Sequence, residues 1–168
     1  MNDKIASLAE NAVGKNREQV GCKGNYAWCA RFVSNILIDA GVKGIDTASC
    51  TDMFRTMKSK PTEWSEPDDF PERGDIIFFD WNKIVEDKPL DHVGIVTEFD
   101  HLAKQVYYVN GNGNNADRVT QQNMSIGNQS IAYWLRYIGD NNDRYAEIEK
   151  QLADLKNKIA KIRAILDN

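Results

Sequence analysis

Residues 25–41 read Asn-Tyr-Ala-Trp-Cys-Ala-Arg-Phe-Val-Ser-Asn-Ile-Leu-Ile-Asp-Ala-Gly, and this stretch decides the fold. Its apolar residues recur at helical rather than alternating spacing, at Ala30, Val33, Ile36, Leu37 and Ala40. We expect Asn25 to cap a buried helix and Gly41 to take the left-handed conformation that ends it. Cys29 would then lie in the first turn, where free N–H groups and the helix dipole favour a thiolate. The alternative is a structural cysteine that packs as a small hydrophobic residue.

The composition is that of an ordinary domain, with 42% hydrophobic and 27% charged residues in 168. A net charge of -4, without a basic cluster among aromatics, argues against a nucleic-acid partner. No run approaches the roughly 18 apolar residues of a membrane span. The first residues lack the pattern of a secretory signal, so we expect synthesis in the cytoplasm, or secretion if a leader precedes this sequence. The three cysteines have no metal-binding spacing and cannot all pair, so we expect no metal and no cofactor.

Helices come first along the chain and strands follow. The patterns predict helices at residues 3–13, capped by Asp3, and at 51–58, besides the one at 25–41. Apolar or alternating runs predict strands at residues 76–79, 92–99, 105–110, 117–122 and 131–138. This order, with short connections, indicates an α+β domain in which helices pack on an antiparallel sheet of about five strands.

Residues 140–168 form a separate segment after the predicted domain at 1–139. Apolar residues there repeat at spacings of three and four, at Tyr145, Ile148, Leu152, Leu155, Ile159, Ile162 and Leu166. These are a and d positions of a coiled coil, so we expect a homo-oligomer through residues 145–166. The alternatives are a helix whose stripe packs back on the domain, and a stalk that leads to a further domain.

The chain has only two histidines. His101 falls in a predicted hairpin turn and should be exposed. If that turn is centred near residue 101, His92 pairs with Asn110, and directly opposite side chains share a face of the sheet. Asn110 would then orient the imidazole, whose other nitrogen would meet Cys29 if the helix packs on that side. Taken singly, His92 can also be a half-buried structural histidine and Asn110 a turn residue.

Four motifs in order resemble the CHAP family of cysteine, histidine-dependent amidohydrolases/peptidases. They are Trp28-Cys-Ala-Arg-Phe-Val-Ser34, Gly74-Asp-Ile-Ile-Phe-Phe79, Asp91-His-Val-Gly-Ile-Val96 and Asn110-Gly-Asn112. The resemblance covers roughly residues 1–138 and implies a papain-like fold. It also implies that this domain cleaves an amide bond of bacterial peptidoglycan, as an endopeptidase or an N-acetylmuramoyl-L-alanine amidase. Many relatives are phage or prophage endolysins, which act at the cell wall.

The resemblance makes Cys29 the nucleophile and His92 the general base. Asn110 stands where many members have the Glu of a Glu-Gly-Asn motif, and Asn112 matches its Asn. Asparagine suffices for an orienting role, as in Cys-His-Asn sites. Many members have Gln where Trp28 stands, so the oxyanion donor is expected from the Cys29 N–H with Asn25 or Tyr26.

Two other functions remain open from the sequence. One is a non-catalytic module that binds wall peptide or a partner through the same groove. The other is a papain-like protease that acts on proteins. Some relatives bind calcium through an acidic loop before the cysteine, but residues 16–25 carry Glu18 as their only acid, so no calcium is expected there.

Overall fold

The computed structural model describes residues 1–24, 27–81, 90–113 and 117–139, and in the C-terminal segment residues 148, 150–159 and 162. Its first part holds three α-helices, α1 (Asn2–Glu10), α2 (Cys29–Ala40) and α3 (Cys50–Lys58), and a 3-10 turn at Glu18–Val20. Six strands follow: β1 (Trp64–Ser65), β2 (Ile76–Phe79), β3 (His92–Asp100), β4 (Gln105–Gly111), β5 (Val119–Ser125) and β6 (Ile131–Tyr137). The predicted α+β class with an antiparallel sheet is confirmed.

The sheet has the order β1-β6-β2-β3-β4-β5, and every neighbouring pair is antiparallel. The helices cover one face, where Val93, Ile95 and Val109 join the apolar side of α2 in the main core. The other face carries a smaller cluster of Ile77, Phe79, Val96, Val106 and Tyr108. Because successive strand residues point to opposite faces, the all-apolar β2 contributes to both clusters.

Helix α2 ends as predicted but begins later. Gly41 has a φ of 99° and stops the helix in the left-handed conformation, which glycine adopts without a steric penalty. The predicted cap at Asn25 is wrong, since the helix begins at Cys29 and Trp28 holds the N-cap position without a side-chain hydrogen bond. Asn25 itself lies outside the described residues. Cys29 is therefore the first residue of the helix.

The two flanking helices differ in how well the sequence predicts them. The helix predicted at 51–58 is confirmed as α3, which begins one residue earlier. Ser49 caps it, because its hydroxyl accepts a hydrogen bond from the Asp52 N–H at 3.1 Å. Helix α1 is shorter than predicted and ends at Glu10. Asp3 lies inside its first turn instead of capping it, because the helix begins at Asn2 after Met1.

The register of β3 and β4 differs from the prediction. Asp100 pairs with Gln105, and the Asp100 carboxylate accepts hydrogen bonds from the backbone N–H groups of Leu102 and Ala103. The turn is therefore centred between Leu102 and Ala103. A bulge between Val96 and Glu98 then shifts the pairing, so that Ile95 lies opposite Val109.

The predicted pairing of His92 with Asn110 is therefore wrong by two residues. The paired residues end at Ile95 and Val109, and the same register would bring His92 to the level of Asn112, just past the end of β4. A shift of two keeps the face unchanged, because side chains alternate with a period of two.

In the C-terminal segment, residues 150–159 are helical and exposed. The apolar residues of its stripe that the structure describes are 44–57% exposed: Ile148, Leu152, Leu155, Ile159 and Ile162. They do not form part of either core cluster, so the alternative of a stripe buried against the domain is wrong for these residues. Self-association stays a prediction. In the described parts of the chain, no helix is both long and apolar enough to cross a membrane.

Candidate active site

A cleft of about 750 Å³ opens at one end of the sheet. The end of β2 and the start of β3 meet there, since Phe79 pairs with His92, and β4 ends at the same edge. The first residue of α2 reaches this edge from the helical layer. Both Cys29 and His92 line the cleft, together with Asn112 and Trp81. The fold thus brings together three of the residues that the sequence singled out.

Gly111 allows α2 to come this close to the sheet. A Cβ atom at Gly111 would lie 2.5 Å from the Trp28 ring and 2.8 Å from the Phe32 Cβ atom, well inside van der Waals contact. Position 111 therefore faces the helix, and only a residue without a side chain leaves room for it. This contact sets the position of Trp28, and with it that of the neighbouring Cys29.

His92 lies on the face of the sheet opposite α2. Its ring packs beside Phe79 at 5.8 Å between centroids, on the same face as Tyr108, whereas α2 packs on Val93 and its neighbours. The condition that the helix packs on the histidine's own face is therefore not met. Cys29 instead meets His92 around the end of the strands, because the helix begins where β3 begins.

The surroundings of the Cys29 thiol favour its thiolate form. Its strongest support is a hydrogen bond with Cys50, whose sulfur lies 3.5 Å from the Cys29 sulfur. The neighbouring His92 side chain and the Ala30 N–H act in the same direction. Together they hold the pKa of Cys29 well below that of an ordinary thiol, against the opposing effect of burial. The pKa of Cys50 is raised, first by its hydrogen bond with Cys29 and then by burial.

Two aromatic rings, Phe79 and Trp81, pack beside the imidazole of His92. Trp81 stacks on Phe79 with 5.1 Å between centroids and 11° between planes, and its ring lies 6.1 Å from that of His92. The backbone N–H of Trp81 donates to the Asp91 carboxylate at 2.8 Å. This bond connects the segment after β2 with the segment before β3. Trp81 is 47% exposed and forms part of the cleft wall.

Asn110 is fully buried, and its amide is bonded within the sheet. Its Nδ2 donates to Gln122 at 3.2 Å and its Oδ1 accepts from the Thr120 hydroxyl at 3.3 Å. The same Gln122 oxygen accepts from the Tyr108 hydroxyl at 3.1 Å. These bonds hold β4 and β5 together beneath the cleft.

Asn112 is partly exposed and lines the cleft directly. Its φ of 61° turns the chain out of β4 in a conformation that asparagine tolerates better than most residues. Of the two asparagines it is the one that lines the cleft together with His92.

The remaining sequence candidates lie elsewhere. The Trp28 ring is buried in the core, with the Arg17 guanidinium 5.8 Å from its centre, so its indole is not part of the cleft wall. Asn25 and Tyr26 lie outside the described residues. Cys22 is buried, and burial raises its pKa to about 11, as expected of a structural thiol.

Cys50 is the site residue that sequence reasoning missed. Nothing in the sequence marks its contact with Cys29, because the two are 21 residues apart on different helices. Its position at the start of a predicted helix was the one available signal. The absence of a metal stays a prediction: within the described ranges, His, Cys, Asp and Glu side chains form no cluster of three that could hold an ion.

A family model of the CHAP domain matches residues 21–112, which is 92 of the 168 residues. The chain belongs to the CHAP family. The matched range of this CHAP domain includes α2, α3 and the strands β1 to β4, so all four motif segments singled out in the sequence lie inside it.

Solved structures support the same fold. The chain is similar to the crystal structure of Ly7917, with a TM-score of 0.55 and 16% identity over 82% of this chain and 62% of that one. It is equally similar to the crystal structure of Ly7917 with the hydrolyzing product of MDP, at 16% identity, a TM-score of 0.55 and coverage of 82% and 63%. This CHAP chain thus spans less than two thirds of those proteins. Among curated proteins, none matches the sequence.

Proposed function

We propose that this CHAP protein hydrolyses an amide bond of bacterial peptidoglycan, with Cys29 as the nucleophile. One observation carries the proposal: a buried cysteine at a helix N-terminus shares the lining of a cleft with a histidine, and this histidine helps to lower the pKa of the cysteine. Activated cysteine nucleophiles have this arrangement. The choice of peptidoglycan draws on the family and on the similarity to Ly7917, which has been solved with the hydrolyzing product of MDP.

The chemistry follows from the positions of the groups. The Cys29 sulfur attacks the carbonyl carbon, and the protonated His92 gives its proton to the leaving amine nitrogen. Water then attacks the thioester, His92 accepts a proton from it, and the acid product leaves as the Cys29 thiolate is restored. The Cys29 N–H is a suitable oxyanion donor, because the first N–H groups of a helix have no acceptor within that helix.

For the orienting role, the geometry favours Asn112 over Asn110. Asn112 lines the cleft together with His92, whereas the Asn110 amide is engaged with Gln122 and Thr120. Asn110 would then support the site by holding the strand that carries Asn112. The finer prediction, an endolysin of a phage or prophage that acts at the cell wall, rests on the family resemblance alone.

The test compares Cys29→Ala and His92→Ala with the unmodified protein on purified cell walls. Both variants should stop the fall in turbidity while their thermal unfolding remains cooperative. Cys22→Ala and His101→Ala are matched controls, because these residues lie outside the cleft lining, and both should keep activity. Clearance of walls by Cys29→Ala would overturn the assignment of the nucleophile.

Mass spectrometry of the digested peptidoglycan separates this proposal from the two alternatives. New amino termini on stem or cross-bridge peptides are expected, and their identity tells an endopeptidase from an amidase. Binding to walls without products would instead show a recognition module. Cleavage of proteins but not of peptidoglycan would show a papain-like protease.

A further inference from the structure

A second buried thiol adjoins the proposed nucleophile. The sulfurs of Cys29 and Cys50 are 3.5 Å apart, and the two residues are 3% and 7% exposed. Cys50 is the first residue of α3, whose N-terminus is capped by Ser49 and whose inner side chains Met53 and Met57 are fully buried. The second sulfur is therefore fixed by a capped, packed helix rather than by a loop.

The surroundings of the two sulfurs decide which one carries the charge. Cys29 has the Ala30 N–H and His92 beside it, and both favour a thiolate. Cys50 has its own backbone N–H, which favours a thiolate, but burial and the Asp91 carboxylate disfavour a negative charge there. A thiolate can only accept a hydrogen bond, so a thiolate at Cys29 requires that the proton between the two sulfurs is on Cys50.

We propose that Cys50 is a positioning residue for the reaction, whose S–H group donates a hydrogen bond to the Cys29 thiolate. This inference rests on the proposed function for its catalytic meaning. The bond stabilises the thiolate before attack and again when the sulfur leaves the acyl group during hydrolysis of the thioester. It also holds the Cys29 sulfur toward the cleft in one orientation.

The experiment measures the thiolate directly, without substrate. Cys29 is alkylated with iodoacetamide across a range of pH, and the modified peptide is quantified by mass spectrometry after prior reduction and removal of the reductant. In Cys50→Ala the midpoint of the profile should rise by about one pH unit or more, which is a tenfold loss of thiolate on the acid side. In Cys50→Ser, whose hydroxyl can also donate, the midpoint should stay much nearer to that of the unmodified protein.

The control is Cys22→Ala, which removes a buried thiol away from the cleft and should leave the profile unchanged. Thermal unfolding of each variant reports on the fold. An unchanged midpoint in a folded Cys50→Ala protein would overturn the inference, as would a folded Cys50→Ser protein that behaves like Cys50→Ala. If Cys50→Ala does not fold, a Cys50→Ser profile shifted by a full unit or more overturns the inference, and a smaller shift supports it.

The two proposals can fail separately. If the alkylation profiles shift as expected but cell walls remain intact, the hydrogen bond is supported and the peptidoglycan proposal is wrong. If walls are cleared and the profiles do not shift, the enzyme stands and the role of Cys50 is wrong. In the active enzyme, loss of the donor should lower kcat/KM most strongly at acid pH, a dependence that a merely structural role would not produce.

Discussion

Replacing Gly111 by alanine should push the proposed nucleophile out of place by adding a single methyl group. The new Cβ atom would lie 2.5 Å and 2.6 Å from two atoms of the Trp28 ring and 2.8 Å from the Phe32 Cβ atom. Ordinary contacts of this kind begin at 3.4 Å. The start of α2 must therefore retreat by up to about an ångström or the strand must bend, since close-packed interiors transmit such strain.

The size of the effect follows from these distances. Overpacking a well-filled core typically costs 1–3 kcal/mol, and about 1 kcal/mol lowers Tm by roughly 2–4 °C in a domain of this length. We therefore expect Gly111→Ala to lower Tm by about 2–12 °C. Cys29 follows Trp28 directly, and a misplacement of about 1 Å near a reacting group can cost a hundredfold in rate. Wall hydrolysis should fall by about tenfold to a hundredfold.

The matched control is Gly127→Ala, where the nearest atom to a new Cβ is 3.8 Å away. Both substitutions restrict the unfolded chain equally, so the difference between their unfolding free energies isolates the clash. Chemical denaturation gives that difference, and the wall assay gives the rate.

A double variant of Gly111→Ala with Trp28→Leu provides a further check. Because the smaller side chain leaves room for the methyl group, its loss of stability should be less than the sum of the single losses. Equal stability of Gly111→Ala and Gly127→Ala would refute the argument that this contact positions the helix.

The remaining predictions concern the chemistry and the tail. The rate should follow a bell-shaped pH profile whose acid limb lies below the ordinary thiol pKa, because the pKa of Cys29 is lowered. An acid limb at the ordinary thiol pKa would contradict a thiolate at Cys29. Asn112→Ala should lower kcat with little change in Tm. Asn110→Ala should instead lose about 1–3 kcal/mol of stability, since its buried hydrogen-bond partners are left unpaired. It should lower the rate far less than Cys29→Ala does. The opposite pattern in denaturation and kinetics would reverse the roles of Asn110 and Asn112. Light scattering should show that the intact chain associates while a protein of residues 1–139 is monomeric. If both proteins are monomeric, self-association through the tail is excluded.

Much of the fold could be predicted because its elements depend on local signals. The apolar run of β2 and the glycine at position 41 each determine a strand or a helix end with neighbouring residues alone. The start of α2 could not be predicted this way, since its first turn has no side-chain cap and is held by the burial of Trp28. The strand predicted at 117–122 begins two residues before β5, because the largely polar sequence there alternates only weakly. Strand β1 was not predicted, because it is only two residues long.

Within the site, the sequence identified the cysteine and the histidine but not all their neighbours. The position of His92 relative to β4 depends on where the turn between β3 and β4 is centred and on the bulge between Val96 and Glu98. Neither feature can be recognised from the sequence of the paired residues. The partnership of Cys29 with Cys50 depends on how two helices pack, which no spacing along the chain records.

The segment from Asn110 to Asn112 shows why its three residues serve the site only in this order. Successive residues of a strand point to opposite faces, so Gly111 turns toward α2 while the asparagines on either side turn away from it. The glycine admits the helix that carries Cys29, and Asn110 fastens the strand to β5 through Gln122. Asn112, just past the end of the strand, then lines the cleft together with His92. A shift of one residue would direct an asparagine into the Trp28 ring and a glycine into the cleft. Both the approach of the proposed nucleophile and its polar surroundings therefore depend on the same register.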